Sequence, residues 1–252
     1  MRRDPSCAAK LAILEALDVL DHLDIDTYAQ AARLTQLEPA WGPPVDTAPP
    51  VRARAALALG RAVSPSALVL LGELLGDDAA VVRRAATEAL AQRGGPGASA
   101  LLALRFRVGD PDPVAFGECA AALVRLSPEL AIARIATMIR APGADRALLG
   151  YALAESRAPA ALAALEAWLG ETIFSKERAP IIAMIAAHRT DEAERLLLEL
   201  VEDGGTEDAA LAVAALGRRA ITESARGRLL DAASHTPTLL AAARRALAEG
   251  PG

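Results

Sequence analysis

The sequence predicts an all-α fold: a right-handed α-solenoid of about seven antiparallel helix pairs, preceded by an N-terminal capping helix. Two observations predict it. Alanine and leucine supply 61 and 38 of the 252 residues, and aromatic residues only 3%, a composition that favours helices over sheets. A short apolar pattern also recurs every 30 to 33 residues, which is typical of stacked helical repeats. High apolar content and a net charge of only −5 exclude a disordered chain.

The first fifty residues differ from the repeats. Apolar residues at helical spacing predict a capping helix over residues 6–23 and the first helix of the first pair over residues 26–37. Five prolines between residues 39 and 50 predict an irregular loop. Trp41 lies in this loop, and we expect its ring to pack over the open end of the core. The predicted domains are this cap, residues 1–50, and a single continuous solenoid domain, residues 51–252.

From residue 51 onward the recurring pattern marks the second helix of each pair. A small or apolar residue is followed, three and four positions later, by a small residue and usually leucine. The last positions of the pattern, used below as reference positions, are residues 59, 90, 123, 153, 186, 216 and 247. Segments with helical spacing also lie between them, at residues 65–76, 98–108, 128–140, 159–169, 191–201 and 223–233. The predicted unit is therefore a helix, a turn and a second helix.

Residues 77–90, DDAAVVRRAATEAL, resemble a HEAT repeat of the short bacterial kind, also called the phycobilisome-lyase-type HEAT-like repeat. Residues 110–113, DPDP, resemble the acidic, proline-bearing turn before the second helix of that family. The family's Val-Arg pair matches at Arg52 and Arg83, and in the fifth unit Arg178-Ala179 takes its place. We expect the arginine of the pair to reach an aspartate in an adjacent inter-helix turn, which predicts a ladder along the stack.

The sequence contains no recognised catalytic pattern. The three histidines share no helix face, and no HExxH, GxSxG or CxxC motif occurs. Asp18 and His22 lie one helical turn apart among other acidic residues. This spacing is compatible with metal binding, but it is more typical of an acidic helix face exposed to solvent. Cys119 falls on the small side of its helix, which predicts a buried structural thiol. We therefore expect no enzymatic activity, no catalytic residue, no cofactor and no metal ion.

The repeat register predicts which side chains line the concave face that the second helices form. Counting two residues back from each reference position gives the first row, and counting two residues forward gives the second row. The first row is Leu57, Glu88, Ala121, Tyr151, Met184, Ala214 and Arg245, and the second is Arg61, Gln92, Arg125, Glu155, His188, Arg218 and Glu249. Apolar and aromatic side chains beside arginines are typical of protein-binding grooves. The predicted partner-binding residues are Arg61, Arg125, Tyr151, Met184, His188 and Arg218.

The leading functional interpretation is a non-catalytic protein-binding or scaffold protein whose concave face holds another protein or a peptide. Two alternatives stay open. The family name implies a bilin lyase or chaperone-like subunit, whose pocket would use Tyr151, Glu155, Met184 and His188. HEAT-like DNA-repair glycosylases resemble the chain in architecture only.

Charge and hydropathy narrow the partner classes. The net charge of −7 over residues 158–217 disfavours binding to phosphates, and therefore nucleic acid as a partner. The sequence contains no stretch of 18 uncharged apolar residues, so it predicts no membrane span. The charged N-terminus does not resemble a signal peptide. The sequence predicts a cytoplasmic protein without a membrane partner.

Overall fold

The computed structural model describes residues 4–141, 146–218 and 221–249, and these residues form fifteen α-helices and one small β-hairpin. The all-α prediction is confirmed. Helix α1 (Ala8–Val19) follows a single turn of 3₁₀-helix (Pro5–Cys7). The other fourteen helices alternate as first and second members of seven pairs, the number that the repeat spacing predicts.

The two helices of each pair contact each other along the chain. The first helices are α2 (Ile25–Ala32), α4 (Pro65–Leu74), α6 (Gly95–Val108), α8 (Pro128–Met138), α10 (Pro159–Glu171), α12 (Asp191–Asp203) and α14 (Glu223–Ala233). The second helices are α3 (Pro49–Arg61), α5 (Ala80–Arg93), α7 (Pro113–Leu126), α9 (Arg146–Ala154), α11 (Ser175–Ala187), α13 (Thr206–Gly217) and α15 (Pro237–Glu249). Side-chain caps begin several of them: Ser64 accepts a hydrogen bond from the Ser66 N–H, and Thr222 accepts one from the Ala225 N–H.

Contacts divide the chain into two compact units, residues 1–127 and residues 128–252. In the first unit α5 packs between α3 and α7, and both α1 and α2 contact α3. In the second unit α11 packs between α9 and α13, and α13 contacts α15. The first fifty residues, predicted as a cap, therefore pack as part of the first unit.

A β-hairpin occupies most of the segment for which the sequence predicted an irregular loop. Strand β1 (Leu37–Ala40) pairs antiparallel with strand β2 (Gly42–Asp46), and the register is irregular between Glu38 and Ala40, around Pro39. An isolated two-stranded ribbon tolerates proline at bulges and at unpaired edge positions. The loop prediction was wrong for residues 39–46, because it considered the prolines only as residues that end helices. The helix predicted over residues 26–37 ends at Ala32, and Leu37 begins the strand.

Trp41 lies at the tip of this hairpin, and its side chain is fully exposed. The prediction that its ring covers the end of the core was wrong. Tyr28 on α2 is the buried aromatic residue in this region, and its hydroxyl donates to Asp18 Oδ1 at 3.2 Å. Tyr28 lies on a helix face that packs inward, whereas the hairpin extends Trp41 away from the helices.

Arginines of the second helices form the predicted ladder. Arg52 Nε and Nη2 donate to the two carboxylate oxygens of Asp77 at 2.7 and 2.9 Å, and Arg83 Nε and Nη2 donate to those of Asp110 at 2.8 and 2.6 Å. Asp77 and Asp110 lie in the turns before α5 and α7, so each bond joins one helix pair to the next. The ladder prediction is confirmed at both positions.

The third guanidinium nitrogen of Arg83 serves a different purpose. Nη1 of Arg83 donates to the backbone carbonyls of Asp77 and Asp78 at 2.9 and 2.8 Å. In the second unit Arg178 donates in the same way to Asp208 and to the carbonyls of Leu169 and Thr172, which lie at the end of α10. These bonds satisfy carbonyls that helix ends and turns leave without an intrahelical partner.

Asp110 accepts from a second arginine as well, because Arg105 on α6 also forms an ion pair with it. The carboxylate is almost completely buried. Burial alone raises the pKa of a carboxyl group, but the hydrogen bonds from Arg83 and Arg105 outweigh it and hold the pKa of Asp110 well below its ordinary range. Asp110 is therefore ionised, and its negative charge compensates the buried guanidinium groups of Arg83 and Arg105.

Neighbouring second helices approach each other closely where one of them carries glycine. A Cβ atom added at Gly60 on α3 would lie 2.9 Å from both Cα and Cβ of Ala89 on α5. A Cβ atom added at Gly217 on α13 would lie 2.4 Å from the Cβ of Ala246 on α15. The two contacts occupy equivalent repeat positions, since each glycine directly follows a reference position and each alanine directly precedes the next one.

Candidate partner-binding surface

Four of the six predicted partner-binding residues are exposed, and two are buried. Arg61, Arg125, Tyr151 and Arg218 lie on exposed positions of second helices, and 47% of Tyr151 is exposed. Met184 and His188, both at α11, are 0% and 2% exposed. The prediction that these two side chains face a partner was wrong.

Met184 fills the core of the second unit. A Cβ atom added at Gly150 on α9 would lie 2.4 Å from the Met184 sulfur and 2.9 Å from the Trp168 ring on α10. The thioether therefore packs where α9 and α10 meet α11, and Gly150 leaves the space that it occupies. An unbranched, flexible side chain such as methionine is well suited to such an irregular gap.

His188 belongs to the turn between α11 and α12. Its Nδ1 lies 3.0 Å from the Thr190 hydroxyl oxygen, and that hydroxyl accepts from the Ala193 N–H at the start of α12. The imidazole is thus part of the capping structure that ends one helix and begins the next. It contributes to the packing of the turn and not to an open surface.

A one-residue register error explains both corrections. Over the last two turns of α11, from Ile181 onward, the exposed positions are Ala183 and Ala187, which lie two residues on either side of Ile185. The reference position of the fifth unit is therefore residue 185 and not 186. With this correction Arg178 lies seven residues before its reference position, as Arg52 and Arg83 do, and its bond to Asp208 follows the same pattern.

The predicted rows line a groove in the first unit, which we call the α3/α5 groove. Its volume is about 370 Å³ and its lining residues are Asp18, Val19, Arg54, Leu57, Ala58, Arg61, Glu88 and Gln92. Asp18 at the end of α1 forms ion pairs with Arg54 Nε at 2.5 Å and with Arg61 Nη2 at 2.6 Å. The arginine predicted to contact a partner is thus already paired with a carboxylate of the capping helix.

A second groove lies between α13 and α15 in the second unit, and we call it the α13/α15 groove. Its volume is about 290 Å³, and its lining residues are Ala210, Val213, Ala214, Gly217, Arg218, Ala242, Arg245 and Ala246. The floor consists of small apolar residues, and the two arginines are its only charged lining residues in the part of the chain that the structure describes. Arg245 belongs to the first predicted row but was not among the candidate residues.

A smaller cleft of about 220 Å³ lies among α8, α9, α10 and α11. Ile173 and Phe174, in the turn between α10 and α11, are two of its lining residues, and both side chains are largely exposed. Arg140 and Glu171 form an ion pair at 3.2 Å in the same cleft. Nothing in the sequence indicated this exposed turn, because the repeat pattern identifies helices and leaves the segments between them unassigned.

The pairing of Asp18 with Arg61 is the main feature of the site that sequence reasoning missed. The one-turn spacing of Asp18 and His22 predicted a solvated acidic helix face. In the structure the Asp18 carboxylate binds two arginines of α3 and the Tyr28 hydroxyl. Nothing in the repeat pattern could identify these partners, because α1 lies outside the repeats that set the register.

Cys7 and Cys119 are free and buried thiols. Burial raises the pKa of Cys119 to about 12. This agrees with the structural role predicted for that residue. Among the described residues, no three His, Cys, Asp or Glu side chains form a group that could hold a metal ion. Within the same residues, every helix is too short or too polar to span a membrane.

Stacked helix pairs joined by arginine–aspartate bonds define an α-helical repeat protein. The family model for HEAT repeats matches residues 45–123, the segment that contains α3 to α6, most of α7 and both ladder bonds of the first unit. The match identifies these residues as HEAT repeats. The closer resemblance to the phycobilisome-lyase-type repeat stays a prediction. A search of curated proteins found no match to the chain.

Proposed function

We propose that this protein is a non-catalytic scaffold that binds another protein or a peptide on the exposed surface of its second helices. HEAT repeats suggest a scaffold or protein-binding role for the chain. The observation that carries the proposal is that residues of the two predicted rows line an open groove in each unit. The apolar floor and the rim arginines of the α13/α15 groove favour the docking of a peptide or a helix.

Tyr151 gives this proposal an aromatic residue that is available for contact. It lies on α9 with about half of its surface exposed, and aromatic residues and arginine are enriched among the side chains that dominate binding energy. The bilin interpretation loses support, because Met184 and His188, two of the four side chains that it requires, are buried. We also propose that the protein is cytoplasmic and that it binds no cofactor.

Replacing Tyr151 by alanine is expected to weaken partner binding by about 1–3 kcal/mol while the melting temperature changes little. The exposed side chain contributes contact area to a partner but few contacts to the core. The partner is first isolated by pull-down with the full chain, and its purified form is then titrated against both proteins by calorimetry.

Leu130→Ala is the matched control, because Leu130 is a similarly exposed apolar residue on a first helix, α8. We expect this variant to bind the partner as the parent protein does. A Tyr151→Ala variant that unfolds more easily but keeps full affinity would show that the tyrosine belongs to the core and would contradict the proposed surface.

A further inference from the structure

The floor of the α13/α15 groove is shaped for a helix. Ala210 and Ala214 lie one turn apart on α13, and Ala242 and Ala246 lie one turn apart on α15. Residues spaced by four form the ridges and grooves through which helices pack, and small side chains let a third backbone approach closely. Gly217 extends the narrow floor toward the end of α13.

The two arginines at the rim of this groove, Arg218 and Arg245, form no ion pair with the side chains that the structure describes. Arg218 Nε donates to the Ala214 carbonyl at 3.2 Å, which holds the side chain against α13 beside the floor. Both arginines are exposed. The groove thus presents two cations beside an apolar floor.

The equivalent arginine in the first unit shows which kind of side chain binds at this position. Arg61 and Arg218 both lie two residues after their reference positions, residues 59 and 216. Arg61 is held at 2.6 Å by Asp18, a carboxylate that the neighbouring helix α1 supplies. The first unit therefore satisfies its arginine with an acidic side chain on a helix, whereas no acidic side chain among the described residues of the second unit pairs with Arg218.

We propose that the α13/α15 groove binds a helical segment of a partner protein that places an acidic side chain between Arg218 and Arg245. This inference rests on the proposed scaffold function and adds the place and the chemistry of the contact. A carboxylate on a helix with small or apolar neighbours matches both the cations and the floor. Steric fit comes from the alanines, and specificity comes from the arginines.

Polyanions fit this surface less well than a single carboxylate does. Glu207 and Asp208 lie in the first turn of α13, and Asp208 is already bound to Arg178. Residues 158–217 carry a net charge of −7, so a nucleic-acid backbone that extends beyond the two arginines meets repulsion. A short helix with one or two acidic residues avoids it.

The test selects helical peptides on the full chain. The probe is a displayed library of 16-residue alanine-based helices in which one face is randomised. We expect selection on the parent protein to enrich Asp or Glu at one position. Selection on the double variant Arg218→Glu, Arg245→Glu is expected to enrich Lys or Arg there instead, because the charge of the groove is reversed.

Arg244→Glu provides the matched control, since Arg244 is the exposed neighbour of Arg245 but does not line the groove. An enriched acidic peptide, measured by fluorescence anisotropy, is expected to bind the double variant at least about tenfold more weakly than the parent and to bind Arg244→Glu as the parent. Circular dichroism checks that all three proteins are equally folded.

Any of four binding results would overturn the inference. They are failure to enrich any peptide, selection without an acidic preference, equal loss of affinity in Arg244→Glu, and tighter binding of a short DNA duplex than of the acidic peptide. Self-association that is abolished by the double variant would also overturn it, because a second copy would then occupy the groove. None of these results affects the Tyr151→Ala titration, so that titration tests the proposed scaffold function independently.

Discussion

Replacing Arg83 by alanine is expected to lower the free energy of unfolding by about 3–5 kcal/mol, the usual cost of breaking a buried ion pair by removing one partner. The substitution removes the paired bond to the Asp110 carboxylate and the donors to the Asp77 and Asp78 carbonyls. These acceptors lie between helix pairs, where replacement by water requires the stack to open. Urea denaturation followed by circular dichroism measures the change.

Arg84→Ala is the control one residue away. Arg84 forms an ion pair of the same kind with Glu118 at 2.6 Å, but both side chains are more than 40% exposed. An exposed ion pair contributes about 0–1 kcal/mol, so the variant should unfold close to the parent. Equal destabilisation by the two substitutions would contradict the view that burial makes the ladder important.

Acid is expected to destabilise the protein through the same bond between Arg83 and Asp110. The pKa of Asp110 is lower in the folded protein than in an unfolded chain, where it is about 3.9. The stability that its ionised form contributes is therefore fully present above about pH 4 and is lost as the pH falls through the folded pKa. Asp110→Asn should be less stable at neutral pH and lose less further stability on acidification. Parallel pH profiles of the two proteins would contradict this.

Replacing Ala89 by leucine is expected to destabilise the protein by about 1–3 kcal/mol through overpacking. Ala89 is fully buried, and a carbon atom added at Gly60 on the facing helix would already lie 2.9 Å from it. The three additional carbon atoms of leucine have no free volume between α3 and α5. Thermal denaturation of the full chain gives the change in stability.

Ala100→Leu is the corresponding control, because Ala100 lies on the exposed face of α6. It adds the same side chain without closing a helix interface, and we expect a change within about 0.5 kcal/mol. If Ala89→Leu were as stable as this control, the close approach of α3 and α5 would not limit the packing of the repeats.

The repeat spacing predicted the fold because each helix pair is a local unit, and the number of residues between reference positions is nearly constant along the chain. The Val-Arg pair predicted that Arg52 and Arg83 each reach an aspartate in an adjacent turn, and the structure identifies these aspartates as Asp77 and Asp110. Exposure on α11 was harder to predict. Ile181, Ile182, Met184 and Ile185 are all buried there, and this nearly continuous apolar run fits two registers that differ by one residue.

Contacts that depend on the ends of the chain could not be predicted in this way. The hairpin, the exposed Trp41 and the pairing of Asp18 with Arg61 all lie in or beside the first fifty residues, which share no period with the repeats. The repeat register placed Arg218 and Arg245 on the exposed rows, but it could not show that they flank one groove. Their significance depends on the absence of a carboxylate near them among the described residues, which composition does not reveal.

The ladder also determines how such a chain can grow. Residues 62–93 contain α4 and α5 and carry one acceptor, Asp77, and one donor, Arg83. A tandem duplication of this segment adds an acceptor for each donor, so the enlarged protein contains no unpaired buried charge. A duplication that started between Asp77 and Arg83 and ended before Asp110 would add a cation without its anion. Gene duplication therefore preserves folding only when whole periods are copied.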